Sequence, residues 1–416
     1  YLESKGEECR MSLQEIFATR ATRMKASEIR ELLKLLDQPD IISFAGGIPD
    51  PDLFPKTAFQ EAFADSLTGP LATQGLQYSP SEGYAPLRQW IATHMQALGV
   101  PATLDNILIT SGSQQALDYL GKLFLSPGDT ALIGWPTYLG ALGAFNAYEP
   151  RYDKLDPLSN RSGADYATDA QDAGGRAKFA YLSVDFANPT GATVSHAARE
   201  RVIDLADEMD IAVIEDAAYQ SLRFDGDAIP PILAIEADRK NGNLEACRTI
   251  YCGSFSKTLS PGLRVGWVCA AQPVIAQLVL MKQAADLHSA SLNQIAICKV
   301  AEAHFDSHIA TIRNAYRARR DAMLDALEEH MPQGVRWAKP EGGMFIWVTL
   351  PDGLDGAELL KQSLETERVA FVPGHAFFAD GSGRNTLRLS YSTSTEDKIR
   401  TGVARLGKLI GAAIAR

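Results

Sequence analysis

Lys257 lies at the end of a predicted strand, in the segment GSFSKTLSPGLRVGW. The apolar run TIYC precedes the segment, and small hydroxyl-bearing residues flank the lysine. A predicted turn follows, and then the cation Arg264, seven positions after the lysine. Position alone does not distinguish a reactive amine from a lysine that caps a strand end. The other predicted strand ends therefore decide between these two interpretations.

The first two predicted strand ends along the chain offer groups for an anion site and an aromatic ring. Ligands of open α/β sheets bind beyond the carboxyl ends of the strands. In TSGSQQ, Gly112, Ser113 and Gln114 open a predicted helix, and the free N–H groups of a helix N-terminus suit a phosphate. Any serine N-cap would give the same pattern, so this signal is weak by itself. Tyr138 of GWPTY either stacks on a planar ligand or packs in the core.

The remaining strand ends add an amide, an acid, a phenol and two hydroxyls: Asn188 in FANPTG, Asp216 and Tyr219 in IEDAAY, and Ser254 and Ser256 beside the lysine. Together, these groups are what pyridoxal phosphate (PLP) requires. The lysine forms the Schiff base with the cofactor and later moves protons, while the aspartate keeps the pyridine nitrogen protonated. Tyrosine and asparagine hydrogen-bond the phenolic oxygen of the ring, and arginine and the serines hold the phosphate. The separate structural interpretations do not predict this set, so the sequence predicts a PLP site.

Apolar strand-like runs alternate with helical patterns over residues 106–270, which predicts a mainly parallel α/β sheet. The predicted strands are NILITSG, TALIGWP, KFAYLSVDF, IAVIEDAAY, TIYCGSF and LRVGWVCA. A long helical stretch over residues 291–329 follows, and a strand–helix–strand–helix pattern then predicts a smaller α+β domain. We predict an N-terminal arm with part of the small domain over 1–50, a large PLP-binding domain over 51–305 and a C-terminal small domain over 306–416.

Composition and charge narrow the possible partners. The 416 residues carry a net charge of −11 with a pI near 5.2, which argues against nucleic acid and anionic membranes as partners. The five scattered cysteines predict neither a disulfide framework nor a metal site and favour the cytoplasm. No secretory leader pattern opens the chain, although Tyr1 is an unusual first residue and suggests a trimmed terminus. The uncharged run 130–148 predicts a strand, a turn and a packed helix rather than a membrane span.

The motifs resemble one family. NPTG, EDAAY and SFSK…GLRVGW are similar to the signatures of fold-type-I, class I/II PLP-dependent aminotransferases. SFAGGIPDPDLFP, QYSPSEGYAPLR, TSGSQQALD, PEGGMFIWV, AFVPGHAFF and NTLRLSYS resemble the branch that contains the α-aminoadipate, kynurenine and broad-specificity amino-acid aminotransferases. This resemblance implies a large, mainly parallel sheet sandwiched by helices and a smaller α+β domain. Many members carry bulkier or acidic residues at Ala217 and Ala218, so local packing there is expected to differ.

The resemblance also implies roles for individual residues. It implies that Lys257, Asp216 and Tyr219 are the catalytic residues. Cofactor contacts fall on those three residues and on Gly112, Ser113, Gln114, Tyr138, Asn188, Ser254, Ser256 and Arg264, with Tyr78 reaching the phosphate of the neighbouring subunit in a homodimer. Substrate contacts fall on Arg388, which would clamp the α-carboxylate, and on Asn188, Gly47, Ser27 and Arg30. In the α-aminoadipate branch, a helix matching KASEIRELLK closes over the substrate, and its serine and arginine meet the distal carboxylate.

Three functions are compatible with these residues. The leading hypothesis is an aminotransferase that works by a ping-pong mechanism between an aminoadipate, aromatic or branched-chain amino acid and a 2-oxo acid such as 2-oxoglutarate. A lyase or decarboxylase would use the same residues, because the orientation of the substrate decides which bond breaks. A ligand-sensing domain of a transcription regulator is the third, but it would need about seventy basic residues of DNA-binding fold upstream. Residues 1–40 are too few, and the net charge has the wrong sign.

Overall fold

A computed structural model describes residues 12–24 and 40–415 of the chain. The strands in these ranges are β1 (Ile42–Ser43), β2 (Ile107–Thr110), β3 (Thr130–Ile133), β4 (Arg151–Lys154), β5 (Ala177–Ser183), β6 (Ala212–Asp216), β7 (Thr249–Ser254), β8 (Gly266–Cys269), β9 (Arg336–Trp337), β10 (Phe345–Thr349), β11 (Val369–Ala370), β12 (Val372–Pro373) and β13 (Thr386–Ser390).

The α-helices are α1 (Lys56–Ser66), α2 (Gly69–Leu76), α3 (Ala85–Ala97), α4 (Ser113–Phe124), α5 (Leu139–Asn146), α6 (Gly163–Asp172), α7 (His196–Met209), α8 (Ile232–Arg239), α9 (Gln272–Gln283), α10 (Ser291–His330), α11 (Gly356–Gln362) and α12 (Glu396–Ile414). Short 3₁₀ helices cover Leu13–Ile16, Thr19–Arg23, Pro51–Leu53, Leu104–Asn106, Gln220–Leu222, Leu244–Ala246 and Gly374–Phe377, and a π turn covers Ser363–Glu367.

A seven-stranded sheet forms the larger layer, in the order β2-β8-β7-β6-β5-β3-β4. The pairs from β7 to β4 are all parallel, and β8 alone among the seven runs against both of its neighbours. The predicted mainly parallel sheet is therefore confirmed, with each predicted strand run in it. The edge strand β4 is an addition, because its sequence RYDK has no apolar run to announce it.

Helices cover both faces of this sheet, and the side chains of the strands alternate between the two faces. In β5, Phe179 and Tyr181 pack with α4, α5 and α9, whereas Ala180 and Leu182 pack with α6 and α7. Both sets are almost fully buried, which explains why these strands have continuous apolar sequences rather than alternating ones.

A second, smaller group of elements contains the antiparallel sheet β12-β13-β10-β9 and the two-stranded parallel sheet β1-β11. Its apolar core includes α12 and the C-terminal half of α10. Helix α10 is continuous over 40 residues, so its first half packs in the core beneath the large sheet and its second half packs here. The division proposed at residue 305 falls inside this helix and remains a prediction.

The uncharged run 130–148 folds as β3, a turn at Trp135 and Pro136, and the packed helix α5, as predicted. None of the helices within residues 12–24 and 40–415 has the length and apolarity to cross a membrane.

Two adjacent carboxyl groups at the end of β6 project to opposite faces of the sheet, because side chains alternate along a strand. Glu215 is fully buried and accepts hydrogen bonds from the backbone N–H groups of Ile232, at 2.8 Å, and Leu233, at 3.1 Å, at the start of α8. Asp216 points instead toward the face that carries Tyr181. Glu215 therefore anchors a helix, and its neighbour is left for the candidate site.

Burial raises the pKa of Glu215 to about 7, although the cation Arg199 and the two backbone N–H groups oppose the shift. Between its ordinary pKa of 4.5 and about 7, the folded protein keeps a proton that the unfolded chain releases. Stability is therefore lost as the pH rises through this window, by up to about 3 kcal/mol. We expect Glu215→Gln to remove this pH-dependent loss of stability. The Tm of the variant minus the Tm of wild type should therefore increase between pH 5 and 8, by the shift that corresponds to about 3 kcal/mol.

The measurement is the difference in Tm between the two proteins across that pH range. Glu245→Gln is the matched control, because Glu245 is exposed and accepts a hydrogen bond from the N–H of Gln272 at 2.8 Å, at the start of α9. A difference between wild type and Glu215→Gln that stays constant with pH would contradict the assignment.

Candidate active site

One pocket lies beyond the carboxyl ends of the parallel strands. Its lining contains most of the residues that the sequence singled out: Ser113, Gln114, Tyr138, Ser183, Asn188, Asp216, Ala218, Tyr219, Ser254, Ser256, Lys257, Pro261 and Arg264. Among these, Ser183, Ala218 and Pro261 had been given no role. The parallel sheet thus brings together the strand-end residues that the sequence analysis selected.

Lys257 presents its amine to this pocket. Its Nζ donates a hydrogen bond to the carbonyl oxygen of Gly47 at 2.8 Å and lies 5.8 Å from the ring centroid of Tyr219. Burial lowers the pKa of Lys257 to about 8, and the cations Arg388 and Arg264 lower it further, whereas Asp216 opposes the shift. A substantial fraction of the amine is therefore neutral near pH 8, which is the form that accepts a proton.

Asp216 is held by a partner that the sequence analysis missed. The hydroxyl of Tyr181 donates to Oδ2 of Asp216 at 2.7 Å, and the N–H of Ala218 donates to Oδ1 at 3.4 Å. Asp216 is only 5% exposed, and this burial raises its pKa despite the two donors. The signal that would have identified Tyr181 is the strand register, because Ser183 pairs with Asp216 and Tyr181 lies two residues earlier on the same face.

A cup of hydrogen-bond donors lies at the start of α4. We define this anion cup as Gly112, Ser113, Gln114, Ser254, Ser256 and Arg264. Arg264 lies close to the hydroxyl of Ser256, with 3.5 Å between Nη1 and Oγ, and its Nη2 donates to the carbonyl of Ser111 at 3.4 Å. A guanidinium, hydroxyl groups and a helix N-terminus are the donors that a phosphate dianion requires.

Gly112 keeps the anion cup open. Its φ is +80°, a conformation that favours glycine, and a Cβ atom there would lie 2.5 Å from Nη2 of Arg264. The side chain of Gln114 is held in place by a hydrogen bond to the carbonyl of Gly140 at 2.6 Å, beside Tyr138. The cup therefore depends on the absence of a side chain at residue 112.

Arg388 enters the site from β13 of the smaller sheet. It is 3% exposed, donates to Oδ1 of Asn188 at 2.8 Å and to the carbonyl of Ala45 at 2.7 Å, and lies over the rings of Phe345 and Phe377, 4.4 and 5.0 Å from their centroids. Burial lowers its pKa to about 10, so it stays charged at neutral pH. Its buried Nε has no hydrogen-bond partner among the described residues. A buried cation with a spare donor suits a substrate carboxylate.

The structure does not place every predicted residue in the pocket lining. Tyr78 is 78% exposed and does not line the pocket, and its ring lies edge-on to the ring of His288, with 5.9 Å between centroids. Ser27 and Arg30 lie outside the described residues. Gly47 takes part through its carbonyl, and a Cβ atom at this position would lie 3.1 Å from the ring of Phe345.

The donor set fits PLP on chemical grounds, because a lysine amine, a buried carboxylate and an anion cup lie in one pocket. The fold and the pocket define a fold-type-I PLP-dependent enzyme. The chain belongs to the class I and II aminotransferases, a family that matches residues 40–406.

Individual relatives are similar to this chain over nearly its whole length. The chain is 41% identical over 416 residues to aromatic-amino-acid aminotransferase 1 of Thermococcus litoralis, which covers 98% of this chain and 97% of that protein. It is 44% identical over 408 residues to 2-aminoadipate transaminase of Thermus thermophilus, which covers 97% and 99%. The solved structure of α-aminoadipate aminotransferase from Thermus thermophilus, complexed with N-(5′-phosphopyridoxyl)-L-leucine, has a TM-score of 0.86 and 42% identity, covering 97% of this chain and all of that one.

The protein is therefore a PLP-dependent aminotransferase, and its substrates are amino acids and oxo acids. These relatives do not favour the lyase and regulator hypotheses.

We expect Gly112→Ala to displace the guanidinium of Arg264 and to weaken PLP binding by about tenfold or more, because a charge-assisted contact to the phosphate is lost. Absorbance titration of the cofactor-free protein with PLP measures this effect. Gly128→Ala is the matched control: its φ is +89°, but no atom lies within 4 Å of the added Cβ. Equal losses in both variants would attribute the effect to backbone strain rather than to the cup.

Proposed function

We propose that the protein transfers the amino group of an aminoadipate, aromatic or branched-chain amino acid to a 2-oxo acid, 2-oxoglutarate in particular, in two half-reactions of a ping-pong cycle. The observation that carries this proposal is that Lys257 and Asp216 line one pocket, while Arg388 donates a hydrogen bond to Asn188 of the same lining. Two kinds of substrate are supported by the relatives, since one is named for aminoadipate and another for aromatic amino acids. The leucine adduct in the solved structure of the aminoadipate enzyme supports an apolar donor.

Each group of residues has a proposed share in holding the cofactor. The anion cup holds the phosphate, Tyr138 stacks on the ring, and Asn188 and Tyr219 bind the phenolic oxygen. Asp216 pairs with the pyridine nitrogen and keeps it protonated, and Tyr181 keeps the carboxylate in place. The bound cofactor supplies an electron sink for the negative charge that develops at the substrate α-carbon.

Two cationic side chains act on the substrate in this proposal. Arg388 binds the α-carboxylate, using donors that are already oriented by Asn188 and by the carbonyl of Ala45. Lys257 then takes the proton from the substrate α-carbon and holds it at its Nζ atom, because its lowered pKa of about 8 leaves part of the amine neutral. Arg388 is buried and Lys257 is half-buried, which limits the access of water to the proton transfer.

We also propose a cytoplasmic homodimer with shared sites, acting in amino-acid metabolism. The support for the dimer is the exposed ring of Tyr78, which is free to reach a second copy of the chain. The support for a reducing compartment is that Cys247, Cys252, Cys269 and Cys298 are buried free thiols.

A half-reaction separates this function from a lyase. With an amino acid and no 2-oxo acid, each active site should release one equivalent of the matching 2-oxo acid, and no ammonia or carbon dioxide. Continued turnover without an acceptor would contradict the proposal.

Reduction of the holoenzyme with borohydride should attach the cofactor irreversibly to Lys257. The reagent reduces the carbon–nitrogen double bond that joins the cofactor to the lysine, and the resulting single bond is stable. Peptide mapping identifies the labelled residue. Lys257→Ala should still bind the cofactor through the anion cup, take up no label and lose transamination by about three orders of magnitude or more. A label on any other lysine of the wild-type protein would overturn the assignment.

The donor range should depend on Arg30. A fixed cation in the pocket would leave an unpaired buried charge beside an apolar donor, at a cost of about 1–3 kcal/mol. A cation on the predicted N-terminal helix can instead turn to solvent. We expect Arg30→Ala to lower kcat/KM for glutamate and aminoadipate by about tenfold or more while sparing leucine and aromatic donors. Initial rates with the four kinds of donor test this prediction. Equal losses of kcat/KM for all of them would contradict a role of Arg30 in recognising the distal carboxylate.

A further inference from the structure

A buried ion pair lies behind the anion cup. Lys282 of α9 is fully buried, and its ammonium donates to both carboxylate oxygens of Asp286, at 2.9 and 3.0 Å. The same ammonium donates to Oε1 of Gln115 and to Oγ of Ser289, each at 2.9 Å. Burying a cation is costly unless it is paired and hydrogen-bonded, and these acceptors satisfy that requirement. All four residues lie outside the lining of the pocket.

The pair holds the turn that begins the anion cup. Oε1 of Gln115 accepts a hydrogen bond from the N–H of Ser111 at 2.8 Å, and Oδ2 of Asp286 accepts one from the hydroxyl of Ser111 at 3.2 Å. The third polar group of Ser111, its carbonyl oxygen, accepts from Arg264 at 3.4 Å. Ser111 directly precedes Gly112. The network of Lys282 therefore fixes one side of a residue whose other side contacts the phosphate-binding guanidinium.

The network also continues away from the cup. Ser289 leads into α10, where the hydroxyl of Ser291 donates to the hydroxyl of Ser79 at 3.1 Å. The ring of the intervening His288 lies 5.9 Å from the ring of Tyr78. The segment around Lys282 thus connects the cup of its own subunit to the segment that carries Tyr78.

We propose that Lys282 is a positioning residue for the cofactor phosphate: its network with Gln115 and Asp286 holds the Ser111–Gly112 turn, and through it Arg264, in the geometry that binds a dianion. This proposal rests on the proposed assignment of the anion cup. A residue that merely stabilised the fold would affect every ligand of the pocket alike. A residue that positions the cup affects only ligands that carry a phosphate.

The experiment compares PLP with pyridoxal, which has the same ring and aldehyde but no phosphate. Full-length, cofactor-free Lys282→Met is titrated with each compound, and absorbance reports binding at the lysine. We expect the Kd for PLP to rise about tenfold, as follows from the loss of a buried hydrogen-bond constraint, and the Kd for pyridoxal to change by less than about twofold. The ratio of the two affinities, which reports the phosphate contribution, falls accordingly.

Two further variants show whether a change in the affinity ratio comes from the anion cup or from the loss of a lysine as such. Arg264→Met removes a member of the cup and should lower the same ratio more strongly. Lys299→Met is the matched control, since the Lys299 ammonium on α10 pairs with exposed Asp65 at 3.3 Å, and its ratio should stay that of wild type. An unchanged ratio in Lys282→Met with a lower Tm overturns the inference alone. An unchanged ratio in Arg264→Met overturns the assignment of the cup.

Gln115→Met keeps the inference testable if Lys282→Met does not fold. This variant leaves the Lys282–Asp286 pair in place and removes the bridge to the N–H of Ser111 at a half-buried position. The PLP-to-pyridoxal ratio should fall in the same direction by a smaller factor. A ratio equal to that of wild type in Gln115→Met would contradict the inference.

Discussion

Parallel pairing in register places Ser183 beside Asp216 and Asp216 beside Cys252, so that β5, β6 and β7 end along one edge of the large sheet. The pocket follows from this constraint. A turn follows each of these strands at the same edge of the sheet. The residues of the turns therefore lie close together although they are far apart in sequence. The same register brings the hydroxyl of Tyr181 to 2.7 Å from Asp216. The pocket residues at the ends of β5, β6 and β7 lie in these strands or just after them, which suits a constellation that must be held rigidly.

The site also requires the smaller sheet, which supplies Arg388 next to the pocket residue Asn188. A guanidinium that is 3% exposed must be hydrogen-bonded, and its partners come from two distant segments, at Asn188 and Ala45. Helix α10 packs in both cores and so fixes the two sheets relative to each other. The charge of Arg388 is then felt across the pocket, where it helps to lower the pKa of Lys257. In the proposed function, substrate binding and proton transfer are thus electrostatically linked through two side chains that come from different sheets.

Much of the fold and most of the pocket could be predicted because both depend on local patterns. Strands buried on both faces have continuous apolar sequences, and strand-end positions are visible as the residues that follow them. What could not be predicted depends on tertiary pairing. Tyr181 looks like an ordinary core aromatic until the register pairs its strand with β6. Strand β4 consists of RYDK, which has no apolar run, and it pairs with β3 at the sheet edge. Lys282 and Asp286 have the spacing of a surface helix pair, and only the packing of α9 shows that the lysine is fully buried.

The surroundings of Lys257, the proposed reactive lysine, differ from those of Lys282, which belongs to a buried ion pair. Burial lowers the pKa of both, so burial alone does not separate them. Lys282 donates to a carboxylate that restores the charged form, and its ammonium is committed to four acceptors. The Nζ of Lys257 donates to the neutral carbonyl of Gly47 and lies near two cations, which favour its neutral form. An amine with one exchangeable hydrogen bond and nearby positive charges can leave its partner and accept a proton, whereas one fixed by an ion pair cannot.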